Sequence, residues 1–314
     1  MRISLRVTAC AIACAIAPLL SAPPLAAQDE SSMRERALMR GCVPGIPQEE
    51  ARGFVPLPSS DVFCPLIADP KGVSSFVSYL RGDAEDFATD VGSVGISDSF
   101  GFFRFGGSRR GNGVQLGLSG GVFAQFDLGT SSYDLINADY IIGFPLTMRK
   151  GGTSARLRVY HQSSHLGDEF LLRSEHIDRE NLSFEALEAM LSQDVGPLRL
   201  YAGGEYFLNR EPRTLPRKLA HGGIELHPGG ALRLGTLGAV RLVAAGDVKV
   251  VSEAGDWDTG ISARAGIEVG RARDGSTSSR RWSLLYEFFD GPSPYGQFFQ
   301  NDVRLSGVGF HFAL

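Results

Sequence analysis

The sequence predicts an all-β protein: an antiparallel transmembrane β-barrel of about twelve strands behind an irregular N-terminal extension. Three observations predict it. From Val73 onward, apolar and polar residues alternate over long runs, the period of two of a strand with one greasy and one wet face. Beyond the first residues, no apolar run approaches the ~20 residues that a spanning helix needs. The chain also ends V-G-F-H-F-A-L, with Val308, Phe310, Phe312 and Leu314 on one face up to the last residue.

Residues 1–27 read as a secretory signal. Arg2 and Arg6 supply the positive start, Thr8 to Leu20 is mostly apolar, and Ala26-Ala27 offers a small-residue cleavage site. Leu25 is not small, so the cut can shift by a residue. The alternative, lipidation at Cys10 or Cys14, conflicts with an apolar run that continues past both. Removing the signal leaves Cys42 and Cys64. Two cysteines in an exported chain most often pair, and closing so short a loop contributes on the order of 3 kcal/mol. Two unpaired thiols are the bland alternative.

Residues 28–72 show little periodicity and clustered prolines (Pro44, Pro47, Pro56, Pro58, Pro65, Pro70). They read as an N-terminal periplasmic extension that either caps or plugs the barrel or serves as a plain linker. The net charge of −4, from 31 basic and 35 acidic residues, gives no basic excess for nucleic acid.

The barrel occupies residues 73–314. Its clearest strand is Val114 to Leu128, with Val114, Leu116, Leu118, Val122 and Phe126 opposite Gln115, Ser119, Gln125 and Asp127. Phe123 is the apolar exception on the wet face. The run exceeds the ~5–6 residues of a soluble strand and suits a tilted membrane crossing. Vaguer strands are expected at Val73–Leu80, Phe87–Phe105, Leu182–Gln193 and Leu219–His227. Arg149–Thr153 and Asp194–Pro197 read as tight periplasmic turns, and the polar stretch after Ser163 to about Asn181 as an extracellular loop. Arg156, Arg158, Arg199, Glu205, Arg241, Asp247, Lys249, Arg264, Glu268 and Glu287 fall on the wet face. Such mixed signs favour an internal ion-pair network over a one-sign pore.

One strand carries a candidate site. In A-R-L-R-V-Y-H-Q-S-S-H-L-G-D-E (Ala155–Glu169), His161 and Ser163 fall on the apolar face. Spacing of two on a strand puts their Cβ atoms ~6–7 Å apart. A His beside a Ser is the minimum for an activated nucleophile, since the imidazole takes the hydroxyl proton as the oxygen attacks a carbonyl. A metal reading of the same segment uses His161, His165, Asp168 and Glu169 to bind zinc or calcium. Two further readings are an extracellular ligand-binding loop and a polar rim where a strand leaves the bilayer. His176, His221, His227 and His311 are scattered and receive no role.

Two resemblances follow from these residues. His161-x-Ser163 on a lipid-facing strand resembles the motif of outer-membrane phospholipase A, a twelve-stranded hydrolase with a His/Ser/Asn triad. It is also similar to the lipid A deacylases, which use His-x-Ser and a Glu on the next strand. The resemblance implies Ser163 as nucleophile and His161 as base, with Asn181 (in N-L-S-F) or Glu175 as orienter. The phospholipase motif continues into an Arg that helps form the oxyanion site; here Ser164-His165-Leu166-Gly167 supplies none. The wider pattern, F-x-P-L-I-A-D-P-K at Phe63–Lys71 with Y-H-Q-S-S-H-L-G-D-E, resembles a bacterial family known as domain of unknown function 1207. That implies an outer-membrane barrel over most of the chain, without an activity. The C-terminal aromatic strand resembles the signal read by the barrel assembly machinery. The expectation is therefore an outer-membrane protein of a Gram-negative cell, in contact with outer-membrane lipid, and a Ser/His lipid acyl hydrolase acting on phospholipid or lipopolysaccharide. The alternative is a structural or transport barrel without catalysis.

Overall fold

The computed structural model describes residues 53–58, 61–83, 89–107, 111–173, 181–228, 232–234, 239–253, 256–270 and 281–312, all within one compact unit. The expected signal segment, Cys42 and Leu314 lie outside the described residues.

Among the described residues, fourteen strands form one sheet. They are β1 (Gly53–Pro56), β2 (Ser75–Asp83), β3 (Asp90–Gly106), β4 (Gly113–Asp127), β5 (Leu135–Lys150), β6 (Thr153–Leu166) and β7 (Leu182–Val195). There follow β8 (Leu198–Glu211), β9 (Lys218–Leu226), β10 (Leu232–Arg233), β11 (Ala239–Glu253), β12 (Asp256–Gly270), β13 (Arg281–Pro292) and β14 (Asp302–Phe312). One six-residue helix, α1 (Asp168–Arg173), follows β6. Each long strand pairs antiparallel with its neighbour, and β14 pairs back onto β2 from Phe312↔Ser75 to Arg304↔Asp83. The ring is closed, and without β1 and β10 it has the expected twelve strands. β10 is a short addition to β11, and β1 pairs with the end of β3 that β2 does not reach.

Closure leaves no sheet edge along the ring, the condition for a strand wall in lipid. The outer face is a coat of exposed apolar side chains, among them Phe144, Leu157, Val159, Leu191, Leu242, Tyr286 and Phe310. The two tight turns close at Gly151 (φ +62°) and Gly196 (φ +57°), where a left-handed backbone favours glycine. They lie on the rim where β2 begins and β14 ends, called the terminal rim below. Phe123, the exception in the alternation, is buried in the lumen 6.3 Å from the Phe76 ring.

Chain enters the lumen from both ends. From the terminal rim, residues 61–72 run up inside the wall. Val62, Phe63, Leu66 and Ala68 are buried there, and the wall grips their backbone. Arg149 Nε donates to Val62 O (2.8 Å), Arg199 to Cys64 O (2.9 Å) and Pro65 O (3.1 Å), and Arg264 to Ile67 O (2.7 Å). Ile67 N donates to Glu225 (2.9 Å). Lys249 meets Asp69 and Lys71 meets Asp139, both at 2.7 Å. The Phe63 ring lies between the guanidinium groups of Arg156 and Arg199, 4.7 and 5.0 Å from its centroid. From the opposite rim, the turn around Gly296–Phe298 dips inward, where Phe298 packs with Phe170 of α1, Leu166, Ile136 and Leu305.

The mixed charges of the wall thus form an internal network. Glu188 pairs with Arg156 and Arg158 (2.6 and 2.7 Å), and Glu225 with Arg199 (3.2 Å). Glu287 pairs with Arg264 and with His311 (3.4 and 2.7 Å). Beside the inserted segment a cavity of about 430 Å³ remains, lined by Cys64, Leu66 and Ile67 with Glu225, Glu268 and His311 of the wall.

Asp69 gives this packing a pH dependence. Burial pushes its carboxyl up, but Lys249, His221 and the Lys71 N–H together hold it well below the usual carboxylate range. A depressed carboxylate stabilises the fold above its unfolded value, about 3.9, and loses that contribution as pH falls below it. Asp61 is moved the other way, upward by burial, and so contributes with the opposite sign. Unfolding midpoints of the refolded protein are therefore expected to fall as pH drops below about 4, and to fall less in Asp69→Asn. Parallel midpoints for the two chains would show that Asp69 is not held as a carboxylate in the lumen.

Candidate active site

The alternation of β6 decides the geometry. Ser154, Tyr160, Gln162 and Ser164 are buried on the lumen side, while Leu157, Val159 and His165 are exposed on the outer wall. His161 and Ser163 share the parity of the second set and face outward. The lumen side fixes the strand behind them. Ser164 Oγ donates to Asn137 (2.8 Å), Gln297 donates to Ser164 O (2.8 Å), and Tyr160 hydrogen-bonds Glu205. A site held from behind by packed, hydrogen-bonded neighbours keeps its geometry better than one on a free loop.

His161 has a partner on the next strand. In the β6–β7 register it stands opposite Glu185, with Nδ1 to Oε1 at 2.9 Å. The pair is part-exposed, at 43% and 41%. A carboxylate at Nδ1 accepts the Nδ1–H and leaves the Nε2 lone pair free, as a general base requires. Ser163 stands opposite Tyr140 on one side and Ser183 on the other. Among the described residues, no hydrogen bond joins Ser163 to His161. Their i, i+2 spacing puts the Cβ atoms ~6–7 Å apart, and catalytic hydrogen bonds are often loose before substrate binds.

The row continues to β8. Glu185 pairs with Asn209, then Ala186 with Phe207, so Leu208 is an extra residue in the ladder. This bulge lets Phe207 stay in the lumen while Asn209 turns to the outer wall beside Glu185. His161, Glu185 and Asn209 thus cross three strands in one line.

The other expected site residues fall elsewhere. Asn181 is exposed just before β7, four residues from Glu185, and is not brought to His161. Glu175 lies outside the described residues. His165 faces outward with its ring 5.8 Å from that of Tyr140. Asp168 and Glu169 are exposed in the first turn of α1, where negative charge suits the helix dipole. Among the described residues, no three His, Cys, Asp or Glu side chains are grouped to hold a metal ion. Cys64 is disulfide-bonded, while its expected partner Cys42 lies outside the described residues.

Glu185 and Asn209 were not legible as site residues. The signal for Glu185 was the alternation of S-F-E-A-L, which places Glu185 on the apolar face with Leu187.

The barrel is similar to that of outer membrane phospholipase A from Escherichia coli, with a TM-score of 0.52 at 14% identity over 78% of this chain and 93% of that one. It is also similar to a Salmonella typhi outer membrane phospholipase dimer with bound calcium (TM-score 0.49, 13% identity, 76% and 90% covered). The translocator domain of the autotransporter NalP from Neisseria meningitidis follows at TM-score 0.33 and 14% identity (79% and 91% covered). At these identities the likeness shows a barrel fold of the outer-membrane type. No curated protein is similar to the chain in sequence. A family described as protein of unknown function (DUF1207) matches residues 27–314.

Proposed function

The chain belongs to the DUF1207 family of proteins of unknown function, and from the site on its outer wall we propose that it is a lipid acyl hydrolase of the outer membrane. The observation that carries this reading is the His161–Glu185 pair, 2.9 Å apart on the lipid-facing wall, with a serine two residues along the same strand face. A paired His and Glu facing hydrocarbon is costly unless it serves a purpose or meets headgroups.

In this reading Ser163 Oγ attacks the ester carbonyl of an outer-leaflet phospholipid or lipopolysaccharide. His161 Nε2 takes the hydroxyl proton, and Glu185 stabilises the imidazolium that forms. Collapse of the tetrahedral intermediate breaks the ester C–O bond, and the imidazolium gives its proton to the departing alcohol. Water, deprotonated by His161, then releases the acyl group from Ser163 as the free acid. The reading places the chemistry on the outside of the barrel and needs no channel through it. Calcium is kept as a candidate cofactor for the test below, although among the described residues no three His, Cys, Asp or Glu side chains are grouped to hold it.

The test is fatty-acid release from mixed phospholipid and lipopolysaccharide by the refolded protein in detergent, with and without calcium. Release is expected. A folded chain that releases none under either condition would return His161 and Ser163 to a polar rim.

A further inference from the structure

The hairpin between β8 and β9 sits on the same rim as the upper ends of β6 and β7. It carries Arg213, Arg217 and Lys218, all exposed. Other exposed arginines on this rim are neutralised: Arg81 by Asp90 (3.1 Å), Arg173 by Asp127 (2.8 Å) and Arg304 by Asp290 (2.7 Å). Among the described residues, no carboxylate lies within ion-pair distance of Arg213, Arg217 or Lys218. The exposed Glu211 on the same hairpin pairs with none of them. Three unpaired cations against one carboxylate, on a chain of net charge −4, make a local positive field.

The hairpin is also packed and hydrogen-bonded to the barrel end. Leu215 is buried with Phe184 and Phe207, its N–H donates to Pro212 O (3.1 Å), and the Arg210 guanidinium donates to its carbonyl. Arg217 donates to the Tyr206 hydroxyl (3.0 Å) and lies 5.8 Å from the centre of that ring. Tyr206 is on the outer wall, where a tyrosine marks the level of headgroups.

Position ties this patch to the site. Glu211, at the foot of the hairpin, stands opposite Ser183, which stands opposite Ser163. Two inter-strand steps put it about 10 Å from the serine. The five or six bonds between an ester carbonyl and the phosphorus of a phospholipid cover about 6–7 Å. An arginine side chain reaches the remainder.

We propose that the β8–β9 hairpin is a headgroup subsite, in which Arg213, Arg217 and Lys218 hold the phosphate of the membrane lipid whose ester lies at Ser163. The ester's place rests on the hydrolase reading; the phosphate subsite itself does not. It makes the preferred substrate a phosphate-bearing amphiphile rather than a neutral glyceride.

Binding tests this without turnover. The full chain carrying Ser163→Ala, refolded in maltoside micelles, is titrated with dihexanoylphosphatidic acid, dihexanoylglycerol and inorganic phosphate. The phosphatidic acid is expected to bind tightest, more weakly as salt rises, and about 30- to 100-fold more weakly when Arg213, Arg217 and Lys218 are all changed to Gln. Arg213→Glu alone serves if the triple variant does not fold. Equal affinity in the altered and unaltered hairpins would overturn the subsite, as would equal binding of the glycerol lipid. Inorganic phosphate binding as tightly as the lipid would make it a free-anion site and overturn the lipid assignment. Selective binding without any hydrolysis by the wild type would sink the hydrolase reading and leave the subsite standing.

Discussion

Ser163→Ala and His161→Ala are each expected to lower acyl release by about 10⁴- to 10⁶-fold, the scale seen when a nucleophile or its base is removed. Glu185→Ala is expected to cost about 10²- to 10⁴-fold, because the imidazole loses both its orientation and the charge that stabilises its protonated form. Glu185→Gln tests which loss matters. Its amide oxygen still accepts the Nδ1–H but carries no charge, so its rate should fall between the wild type and Glu185→Ala. The three residues act as a unit, so combining Ser163→Ala with Glu185→Ala should be no worse than Ser163→Ala alone. Fatty-acid titration on variants whose folding is verified by heat-dependent gel mobility makes the comparison. A Glu185→Ala chain as active as the wild type would remove Glu185 from the machinery.

The second large effect concerns stability. Arg199, 1% exposed, holds Cys64 O, Pro65 O, Ser192 and Glu225, and stacks on Phe63. Arg199→Ala leaves Glu225 buried beside Ile67 N with its cation gone, a loss of about 3–5 kcal/mol for a broken buried pair. Arg199→Met combined with Glu225→Gln removes both charges and should cost much less. Unfolding in urea measures both. Equal stability of Arg199→Ala and wild type would mean that residues 61–72 are not anchored there.

The alternation from Gln115 to Asp127, and from Ala155 to Ser163, carried the barrel, because lipid on one side and a packed wet lumen on the other impose a period of two. The strand count followed from that. The partner of His161 did not. A hairpin with a tight turn has its register fixed by the turn, as at Gly151 and Gly196. β6 and β7 are joined by a long connection, so nothing local says which residue of β7 faces His161. Asn181 and Glu175 were the choices nearest in sequence, whereas the ladder selects Glu185. Asn209 was hidden further, since a bulge at Leu208 shifts the alternation that would have sent it inward. Insertion of residues 28–72 into the barrel was one open alternative, but the contacts of the inserted part were not legible. Val62 to Ala68 has no period because its surroundings change at every residue, and its partners, such as Arg264 and Glu225, are far along the chain.

β1 has a separate consequence. β3 is longer than β2, and its last residues, from Phe103 to Gly106, have a neighbour on that side only because Gly53–Pro56 lies there. Leu57 N adds a bond to Phe102 O (3.0 Å), and Phe54 joins Phe103 and Phe105 in an aromatic cluster on the outside. The four residues patch a notch in the wall where bare N–H and C=O groups would otherwise meet hydrocarbon or recruit a strand from another molecule. The same short arm of chain that enters the barrel also mends its side, so shortening the protein to Val73 would expose a sticky edge as well as empty the interior.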